Sequence, residues 1–490
     1  MRNAECLPLA TRGKKLSFGF RSSSCHSSNS AFAGRCSSAL VELHRISDTD
    51  VLHCLLSRGS VIVARGLEIG LTMATSTANR LKSTLALFLP GIFLLGFNIG
   101  TGSVTTMATA GANYGMSLLW TVLISCAATY LMIATYGRYT LVTGETALEA
   151  FRKHIHPAVG VFFIFALGIG VCASVMGVMG IVAEISYEWS KTFIVDGIDP
   201  LFWAAFFCAV AYFIFWSGRT QVFERTLAVI VAIMAGCFVL NFFILMPPVG
   251  DMAAGLVPSV PEVANSETGP LLLIASMVGT TIFSGLFILR TTLVKEAGWT
   301  IKHDKQQRRD AAFTAIMMFV ISASIMAAAA GSLHVQGIGL DNASQMIGLL
   351  EPLAGPLAVS IFAIGIIAAG VSSQFPNLLM IPWLLCDFRS TPRDMTMWQY
   401  RLFVAAISML GLVVPLFDAR PIFVLILSQA FNVVLLPVTV GCIIYLGNRV
   451  DLMGAHRNSV LTNTGLGGLF LFSLLTGYMG FQGLMGMLNT

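Results

Sequence analysis

The chain has 490 residues, of which 56% are hydrophobic and only 11% are charged, and its mean hydropathy is +0.80. Soluble domains carry roughly 25% charged residues, so this composition excludes an ordinary soluble protein and indicates a polytopic membrane protein. The formal net charge of +5 falls to near neutrality from Met73 onward, where 20 basic residues face 19 acidic ones. The charge therefore gives no reason to expect a nucleic-acid partner.

Residues 1–72 differ from the rest of the chain. They contain the serine-rich stretch RSSSCHSSNS, nine Lys or Arg residues and five acids, and they lack an apolar run of membrane-spanning length. We expect this segment to be disordered or a wrongly assigned extension, with translation beginning at Met73. The ten cysteines form no CxxC pair and no Cys/His cluster, so neither a zinc site nor a disulfide framework is predicted.

Eleven apolar stretches beyond residue 83 are long enough to span a membrane, since a helix needs about 20 apolar residues to cross it. They cover approximately residues 84–110, 115–137, 157–185, 200–217, 222–247, 268–294, 311–333, 355–381, 398–416, 421–446 and 466–487. If the N-terminus lies inside, 17 basic residues of the connections lie inside and only Lys191 and Arg420 lie outside. This bias predicts an inside N-terminus, an outside C-terminus and an odd number of spans. We expect the protein in the cytoplasmic (inner) membrane.

The first span contains Gly100, Thr101, Gly102 and Ser103 about where its helix would cross the bilayer midplane. Backbone that leaves the helix at this depth must be buried in protein or line a cavity, because no water is there to satisfy its N–H and C=O groups. The sequence therefore predicts a broken helix and a substrate-binding site at this point.

The sixth span has a second weak point at a matching depth, where glycines and hydroxyl residues disfavour the helix. These residues are Gly279, Thr280, Thr281, Ser284 and Gly285. Because five spans separate the two weak points, the pattern predicts an inverted repeat of five plus five spans. The first repeat would cover residues 73–250 and the second 251–447, followed by a last helix within 448–490. The alternative is that the glycines only allow close packing of helices.

Four sequence patterns along the spans are similar to motifs of one transporter family. They are TMATAGANYGMSLLW after the first break, YGRYTLVTGETALEA at the end of span two, IFAIGIIAAGVSS in span eight and FVLILSQAFNVVLLPV in span ten. With these patterns in this order, the chain resembles the Nramp family of metal-ion transporters over most of residues 84–446. The resemblance implies an all-α, LeuT-type membrane fold of eleven helices, in which helices one and six are broken.

The resemblance also implies roles for individual residues. It makes Gln429 the substrate-proximal glutamine of span ten and, through VAEI in span three, makes Glu184 a candidate for a proton pathway. The metal-binding motifs of the family are replaced in this chain. Gly100–Ser103 stands where the family has Asp-Pro-Gly-Asn, Phe283–Leu286 stands for Met-Pro-His-Asn, and Arg290 stands for a second histidine.

What remains at the predicted site is a set of uncharged oxygen ligands. The substrate-binding candidates are Gly100, Thr101, Gly102, Ser103, Thr280, Thr281, Ser284 and Gln429, together with the amides of Asn98 and Asn432. Among them, Ser103, Thr280 and Gln429 are the candidate metal ligands. Such a set suits a partly hydrated cation, a monovalent ion or a small polar solute better than a stripped transition metal, which favours ligands with negative charge.

Three charged residues are candidates for coupling or gating: Glu184, Glu224 and Arg290. A charge within a span is costly, so Arg290 is expected to have a function. It would pair with Glu224, Glu145 or Glu149, or extend its head group to the membrane interface. If it faced the cavity, it would favour an anion. Glu184 is alternatively an interfacial carboxylate of the outer vestibule.

We therefore predict a secondary active transporter that moves a metal or another inorganic cation by alternating access, coupled to protons or sodium ions. The cation, the coupling ion and the lipid bilayer are the only expected partners, and no cofactor is expected. A nucleotide-binding loop and a grouped nucleophile and base are both missing from the sequence, which predicts that the protein is not an enzyme. The alternatives are a transporter of amino acids or other small polar solutes on the same fold, and a membrane sensor that transports nothing.

Overall fold

The computed structural model describes residues 100–217, 246–262, 269–340, 356–391 and 395–488, with short pieces between 229 and 244 and single positions at 342, 345 and 346. The predicted extension 1–72, the first part of span one and most of span five lie outside the described residues.

Almost all of the described chain is helical. The helices of twelve or more residues, numbered in chain order, are α1 Thr101–Tyr114, α2 Leu119–Thr143, α3 Pro157–Ser190, α4 Pro200–Ser217, α5 Pro270–Thr281, α6 Ser284–Glu296, α7 Asp304–Ser332, α8 Pro356–Arg389, α9 Trp398–Met409, α10 Pro421–Asn448 and α11 Val460–Leu488. Shorter helical turns lie at Ala147–Ala150, Phe151–Ile155, Val249–Ala254, Ile301–His303, His334–Gln336, Leu410–Leu412, Val413–Leu416, Val450–Met453 and Gly454–His456.

Within the described residues, nine helical stretches are long and apolar enough to cross a membrane. Helices α5 and α6 together form one of them, Pro270–Glu296, and α9 with the two turns after it forms another, Trp398–Leu416. These nine stretches match predicted spans two to four and six to eleven. The total of eleven stays a prediction, because spans one and five are described only in part.

Proline and glycine set many of the helix ends. Helices α3, α4, α5, α8 and α10 each begin with proline, whose missing N–H costs nothing in a first turn and whose fixed φ suits the helix. Helices α1 and α2 are followed by glycines with positive φ, Gly115 at 60° and Gly144 at 72°. Glycine adopts this conformation without steric cost, so the local sequence ends both helices sharply.

The sixth span is broken, as the sequence predicts. Helix α5 ends at Thr281, Ile282 and Phe283 leave the helical region, and α6 begins at Ser284. The position of the break differs from the prediction, since Gly279 lies inside α5 and the non-helical residues are the two apolar ones. Neither non-helical residue has a positive φ, with values of −104° for Ile282 and −79° for Phe283, so no glycine is required there.

In the first span the helical part begins earlier than predicted. Gly100 is extended, with φ of −109° and ψ of −172°, and α1 starts at Thr101. Thr101, Gly102 and Ser103 therefore form the first turn of a helix instead of a non-helical segment. The N–H groups of a first turn have no acceptor within their own helix, so this turn offers a positively polarised helix end at the depth of the α5–α6 break.

Helix α3 packs between α8 and α10, while α5 packs against α10 and α11, and α7 packs against α1 and α2. The beginning of α1 also contacts α3, α8 and α10. The α5–α6 break, the first turn of α1 and the middle of α10 consequently meet in the interior of the bundle.

Candidate functional site

A cavity of about 50 Å³ lies where the first turn of α1 and the α5–α6 break meet α3, α8 and α10. Its polar lining residues are Ser103, Ser174, Thr280, Ser373, Asn377, Gln429 and Asn432. Its remaining walls are formed by Gly100, Gly102, Gly170, Val171, Val178 and Phe283. The cavity has room for roughly three water-sized molecules, so it can hold a small ion or solute with little surrounding water.

Five of the eight predicted substrate-binding residues line this cavity, namely Gly100, Gly102, Ser103, Thr280 and Gln429. They come from three separate helices, which fold together because glycines allow the backbones to approach. A Cβ atom at Gly102 would lie 2.9 Å from Nε2 of Gln429. A Cβ atom at the neighbouring Gly279 of α5 would overlap the main-chain oxygen of Gln429.

The other three predicted residues are buried but do not line the cavity. Thr281 Oγ1 donates to the main-chain oxygen of Met277 over 2.8 Å, and Ser284 Oγ accepts a 2.8 Å hydrogen bond from Thr439 Oγ1. Thr101 Oγ1 has no hydrogen-bond partner among the described residues. The hydroxyls of Thr281 and Ser284 are therefore directed to these partners and not to the cavity.

The break deprives a main-chain carbonyl at the end of α5 of its partner within the helix, and a side chain of another helix donates a hydrogen bond to it instead. The oxygen of Thr281 accepts a 2.9 Å hydrogen bond from Oγ1 of Thr129 on α2. This bond supplies a partner that a continuous helix would have given, so it stabilises the break. The Thr281 backbone therefore has a structural role even though its hydroxyl does not face the cavity.

None of the described residues that line the cavity carries a charge. In the part of the chain that the structure describes, three or more His, Cys, Asp or Glu residues nowhere come together as a metal-binding group. The cavity therefore offers neutral oxygen atoms, among them those of Ser103, Thr280 and Gln429. These are hard ligands that suit ions accepting oxygen coordination.

Sequence analysis does not identify three of the polar lining residues, Ser174 on α3 and Ser373 and Asn377 on α8. The side chain of Asn377 donates to Ser174 Oγ over 3.5 Å, so α3 and α8 together form a polar wall opposite α5. One signal was present in the sequence. Ser373 ends the pattern IFAIGIIAAGVSS, and Asn377 follows one helical turn later.

Arg290 on α6 forms a fully buried ion pair with Asp310 on α7. The two side chains are 0% exposed, and Nη1 of Arg290 lies 2.6 Å from Oδ2 of Asp310. The guanidinium also donates to Oε1 of Gln307, whose own Nε2 donates to the main-chain oxygen of Ile133 over 2.8 Å. The pair thus joins α6, α7 and α2.

This pairing corrects the prediction for Arg290. Its partner is Asp310 and not Glu145 or Glu149, and its complete burial rules out an interfacial position. Sequence reasoning missed Asp310 because it placed the seventh span at 311–333, whereas α7 already begins at Asp304. Since Arg290 does not line the cavity and its charge is balanced, it gives no reason to expect an anion there.

Glu145 and Glu149 belong to a separate ionic cluster beyond the end of α2. Glu149 contacts Nζ of Lys153 at 2.7 Å and Nζ of Lys295 at 2.8 Å, while Glu145 contacts Lys153 and His154. Burial raises the pKa of the Glu149 carboxyl, but the hydrogen bonds from the two lysines outweigh it and lower the pKa to about 2. Lys295 is at the end of α6, so the cluster holds that end in place.

We expect Glu149→Gln to lower thermal stability at neutral pH, by on the order of 1 kcal/mol because the partner lysines are half exposed. A carboxyl whose pKa is lower in the folded state than in the unfolded state stabilises the folded state at pH values above its unfolded pKa, which is about 4.3. That contribution disappears as the pH falls toward 2. Thermal unfolding in detergent from neutral to acidic pH tests this, with Glu188→Gln, in an exposed pair with Lys191, as the control. A stability difference that stays constant down to the lowest pH would contradict the assignment.

Glu184, the remaining gating candidate that the structure describes, lies apart from the cavity. Glu184 is half-buried on α3, ten residues beyond Ser174, which corresponds to about 15 Å along the helix. Glu224 lies outside the described residues, as does the predicted ligand Asn98.

Comparisons with known proteins agree with the motifs in the sequence. A family model described as natural resistance-associated macrophage protein-like, Nramp, matches residues 91–482. A divalent metal cation transporter MntH of Klebsiella pneumoniae is 27% identical over 355 residues, covering 71% of this chain and 82% of the relative. The protein of the same name from Acidiphilium cryptum is 26% identical over 369 residues, covering 72% of this chain and 80% of the relative.

Solved structures share the fold at low sequence identity. A manganese transporter of Eremococcus coleocola has a TM-score of 0.61 at 17% identity, covering 84% of this chain and 94% of that one. Mhp1, a nucleobase-cation-symport-1 family transporter, has a TM-score of 0.54 at 14% identity, covering 82% and 90% of the two chains. These likenesses confirm the predicted fold class, an all-α polytopic membrane protein of the LeuT type.

Proposed function

The chain belongs to the natural resistance-associated macrophage protein-like (Nramp) family, and we propose on this premise that it moves a divalent metal cation across a membrane by alternating access. It is a secondary active transporter and not an enzyme. The cargo would bind in the cavity between α1, the α5–α6 break and α10. Ser103, Thr280 and Gln429 would supply oxygen ligands, and the backbone at Gly100 and Gly102 would form the adjoining wall.

One observation carries this proposal: the cavity lies where a broken helix and the first turn of a second helix meet in the interior of the bundle. Secondary transporters of inverted-repeat type bind substrate and ions at such points. The amide of Gln429 closes the cavity from α10. Its lining provides several oxygen atoms without a charge, so these side chains would coordinate the ion without neutralising it.

The contacts of α6 support a closed gate at the Glu149 end of the bundle. Thr291 Oγ1 accepts a 2.9 Å hydrogen bond from the main-chain N–H of Ala147, and Thr292 Oγ1 donates to Asp387 Oδ2 over 3.1 Å. Together with the Arg290–Asp310 pair and the Lys295 contact, these bonds hold α6 against three neighbours. Release of cargo at this end would require α6 to separate from them.

We also propose how the protein is oriented in the membrane and which ions drive transport. With the N-terminus inside, the Glu149 end faces the cytoplasm and the C-terminus lies outside, in the inner membrane. Protons or sodium ions would supply the driving force. Glu184, toward the opposite end of α3, would lie on the outer route, and Arg290 would act in the gate. In this proposal the first repeat covers residues 73–250, the second repeat covers residues 251–447, and the last helix lies within residues 448–490.

Uptake into proteoliposomes tests the proposed function. We expect the wild-type protein to take up manganese saturably. We expect it to take up none of the amino acids in a test panel. Gln429→Ala should reduce manganese uptake by at least about tenfold, because one well-placed polar contact is worth roughly 1.4 kcal/mol. Ser428→Ala is the matched control, since Ser428 Oγ donates to the Leu425 carbonyl of its own helix.

Two results would overturn the proposal. Amino-acid uptake without cation uptake would assign the cavity to small organic solutes, which an uncharged lining also suits. Absence of any uptake, with the protein correctly folded in the vesicles, would indicate a sensor that transports nothing.

A further inference from the structure

We infer that Asp310 and Gln307 of α7 form a second binding site for the cargo cation at the Glu149 end of the bundle, and that Arg290 occupies this site while the gate is closed. When α6 separates from α7, the guanidinium leaves and a divalent cation takes its place between the two side chains. This inference rests on the proposed function, because the cation that binds there is the one released from the cavity.

Arg290 lies between the cavity and the Glu149 end of the bundle. It follows Phe283, which lines the cavity, by seven residues, and this corresponds to about 10 Å along the helix. It precedes Lys295, at the end of α6, by five residues. The central carbon of its guanidinium lies 5.6 Å from the ring centroid of Trp299, a half-buried residue that follows α6. A cation that leaves the cavity along α6 toward this end therefore passes the guanidinium.

The guanidinium bridges two oxygen atoms on one face of α7. Its Nη1 lies 2.6 Å from Oδ2 of Asp310, and its Nη2 donates to Oε1 of Gln307. Residues three apart on a helix are neighbours on its surface, so a carboxylate oxygen and an amide oxygen are directed at the same positive group. Arg290 therefore stands where a cation with oxygen ligands would lie.

Neighbouring groups keep the Gln307 oxygen directed at this point. The Nε2 atom of Gln307 donates to the main-chain oxygen of Ile133 over 2.8 Å, so Oε1 is the amide atom that faces α6. A Cβ atom at Gly137 of α2 would overlap the Gln307 amide, so α2 approaches it closely only because residue 137 is glycine. The two oxygen ligands thus belong to α7 and are held by α2, and they stay in place when α6 moves.

Asp310 supplies the charge that the cavity lacks. Among the residues that the structure describes, Arg290 and Asp310 are the only charged side chains that are buried. A buried carboxylate that loses its counter-charge is costly, so separating α6 from α7 requires another positive charge beside Asp310. The cargo can supply it, since Mg²⁺ and Mn²⁺ favour carboxylate and carbonyl oxygens as ligands. Binding at this site lowers the cost of opening the gate and draws the cation out of the uncharged cavity.

The cation dependence of stability in Arg290→Ala tests the inference without relying on transport. This substitution removes the guanidinium and leaves space beside Asp310 and Gln307. We expect saturating Mg²⁺ or Mn²⁺ to raise the unfolding temperature of the variant in detergent by about 4 °C more than that of the wild type, because a ligand that binds only the folded state stabilises it.

Two matched variants serve as controls. Arg290→Met fills the same space with a longer apolar side chain, so the cations should give it no shift beyond that of the wild type. Arg290→Ala combined with Asp310→Asn removes the carboxylate and should lose the additional shift.

Equal cation shifts in Arg290→Ala and Arg290→Met would overturn the inference and leave transport through the cavity intact. Stabilisation of Arg290→Ala by lower pH but not by cations would assign the counter-charge to a proton and would also overturn it. A wild-type protein that takes up no cation would overturn the proposed function, and the stability measurement would still report separately on the second site.

Transport keeps the test decisive if Arg290→Ala does not fold. The double variant Arg290→Met with Asp310→Leu lacks the second site, and replacing both charges by apolar residues should keep it stable. Its maximal rate of Mn²⁺ uptake should be at least about tenfold below that of the wild type, without a rise in the half-saturating concentration, because the cavity is intact and release is slow. A maximal rate equal to that of the wild type would overturn the inference.

Discussion

Removing one partner of the Arg290–Asp310 pair is expected to lower the free energy of unfolding by about 3–5 kcal/mol. Both side chains are 0% exposed, so Asp310→Asn leaves a guanidinium charge in the interior without a counter-charge. The loss exceeds that of an ordinary hydrogen bond because the remaining charge cannot reach water. Arg290→Met should have a similar effect by leaving the carboxylate alone.

The double variant Arg290→Met with Asp310→Leu is the control for this prediction. It removes both charges, and replacing a buried ion pair by apolar residues is often neutral or stabilising, so most of the lost stability should return. Unfolding can be followed with a thiol-reactive dye in detergent as the reaction of the buried thiols, such as those of Cys126 and Cys442, that comes after the reaction of the half-buried Cys172 and Cys237. Equal stability of the single variants and the wild type would contradict the buried pair.

If the pair also acts as part of the gate, transport will respond differently from stability. The double variant would recover its stability but lose the polar connection of α6 to α7, and its uptake rate should differ from that of the wild type. Recovery of stability together with an unchanged uptake rate would show that the pair has a structural role only.

The second large effect is expected for Gly279→Ala. The added methyl group would overlap the main-chain oxygen of Gln429, and backbone cannot rotate away as a side chain can. Overpacking of this kind costs about 1–3 kcal/mol or more, and it would push α5 away from α10 beside the cavity. We therefore expect both a lower unfolding temperature and a loss of cation uptake of at least about tenfold.

Gly468→Ala is the matched control for this substitution. Gly468 lies in α11 with no other atoms within 4 Å of an added Cβ, so alanine should be neutral or slightly stabilising, by up to about 1 kcal/mol. Wild-type uptake by Gly279→Ala would contradict the close approach of the two helices at the cavity.

The sequence predicted the fold class, the broken sixth span and the part of the site on α10. The spans and the break depend on local composition, since apolar length defines a span and weak helix formers mark a break, whereas Gln429 on α10 was implied by the resemblance to the Nramp family. It could not give the exact non-helical residues. Gly279, which the sequence predicts to be part of the break, instead allows α5 to pack closely on α10, while Ile282 and Phe283 have the non-helical dihedral angles.

The directions of hydroxyl groups were equally beyond the sequence. Thr280 faces the cavity and Thr281 does not, because successive side chains on a helix point about 100° apart. Which of the two points inward depends on how α5 packs, and this is a tertiary property. Ser174 on α3 has no local feature that marks it as part of the site, whereas Asn377 on α8 follows one turn after the pattern that ends at Ser373, and only the packing of α8 shows that it faces the cavity.

Asp310 shows a different limit. Hydropathy placed the start of the seventh span one residue after it, so the acid was assigned to a loop, and the partner of Arg290 was sought among acids at other span ends. A helix that starts earlier than its apolar segment can bury such a residue when an opposite charge faces it. Pairing of this kind requires the relative position of α6 and α7, which a single sequence does not contain.

The most direct test of the proposed site is to locate the bound cation by anomalous scattering from crystals of the protein soaked in Mn²⁺. We expect the strongest peak in the cavity between Ser103, Thr280, Gln429 and Asn432, and its loss in the Gln429→Ala variant. A strongest peak elsewhere in the bundle, or none in the cavity at saturating Mn²⁺, would contradict the assignment of this cavity as the transport site.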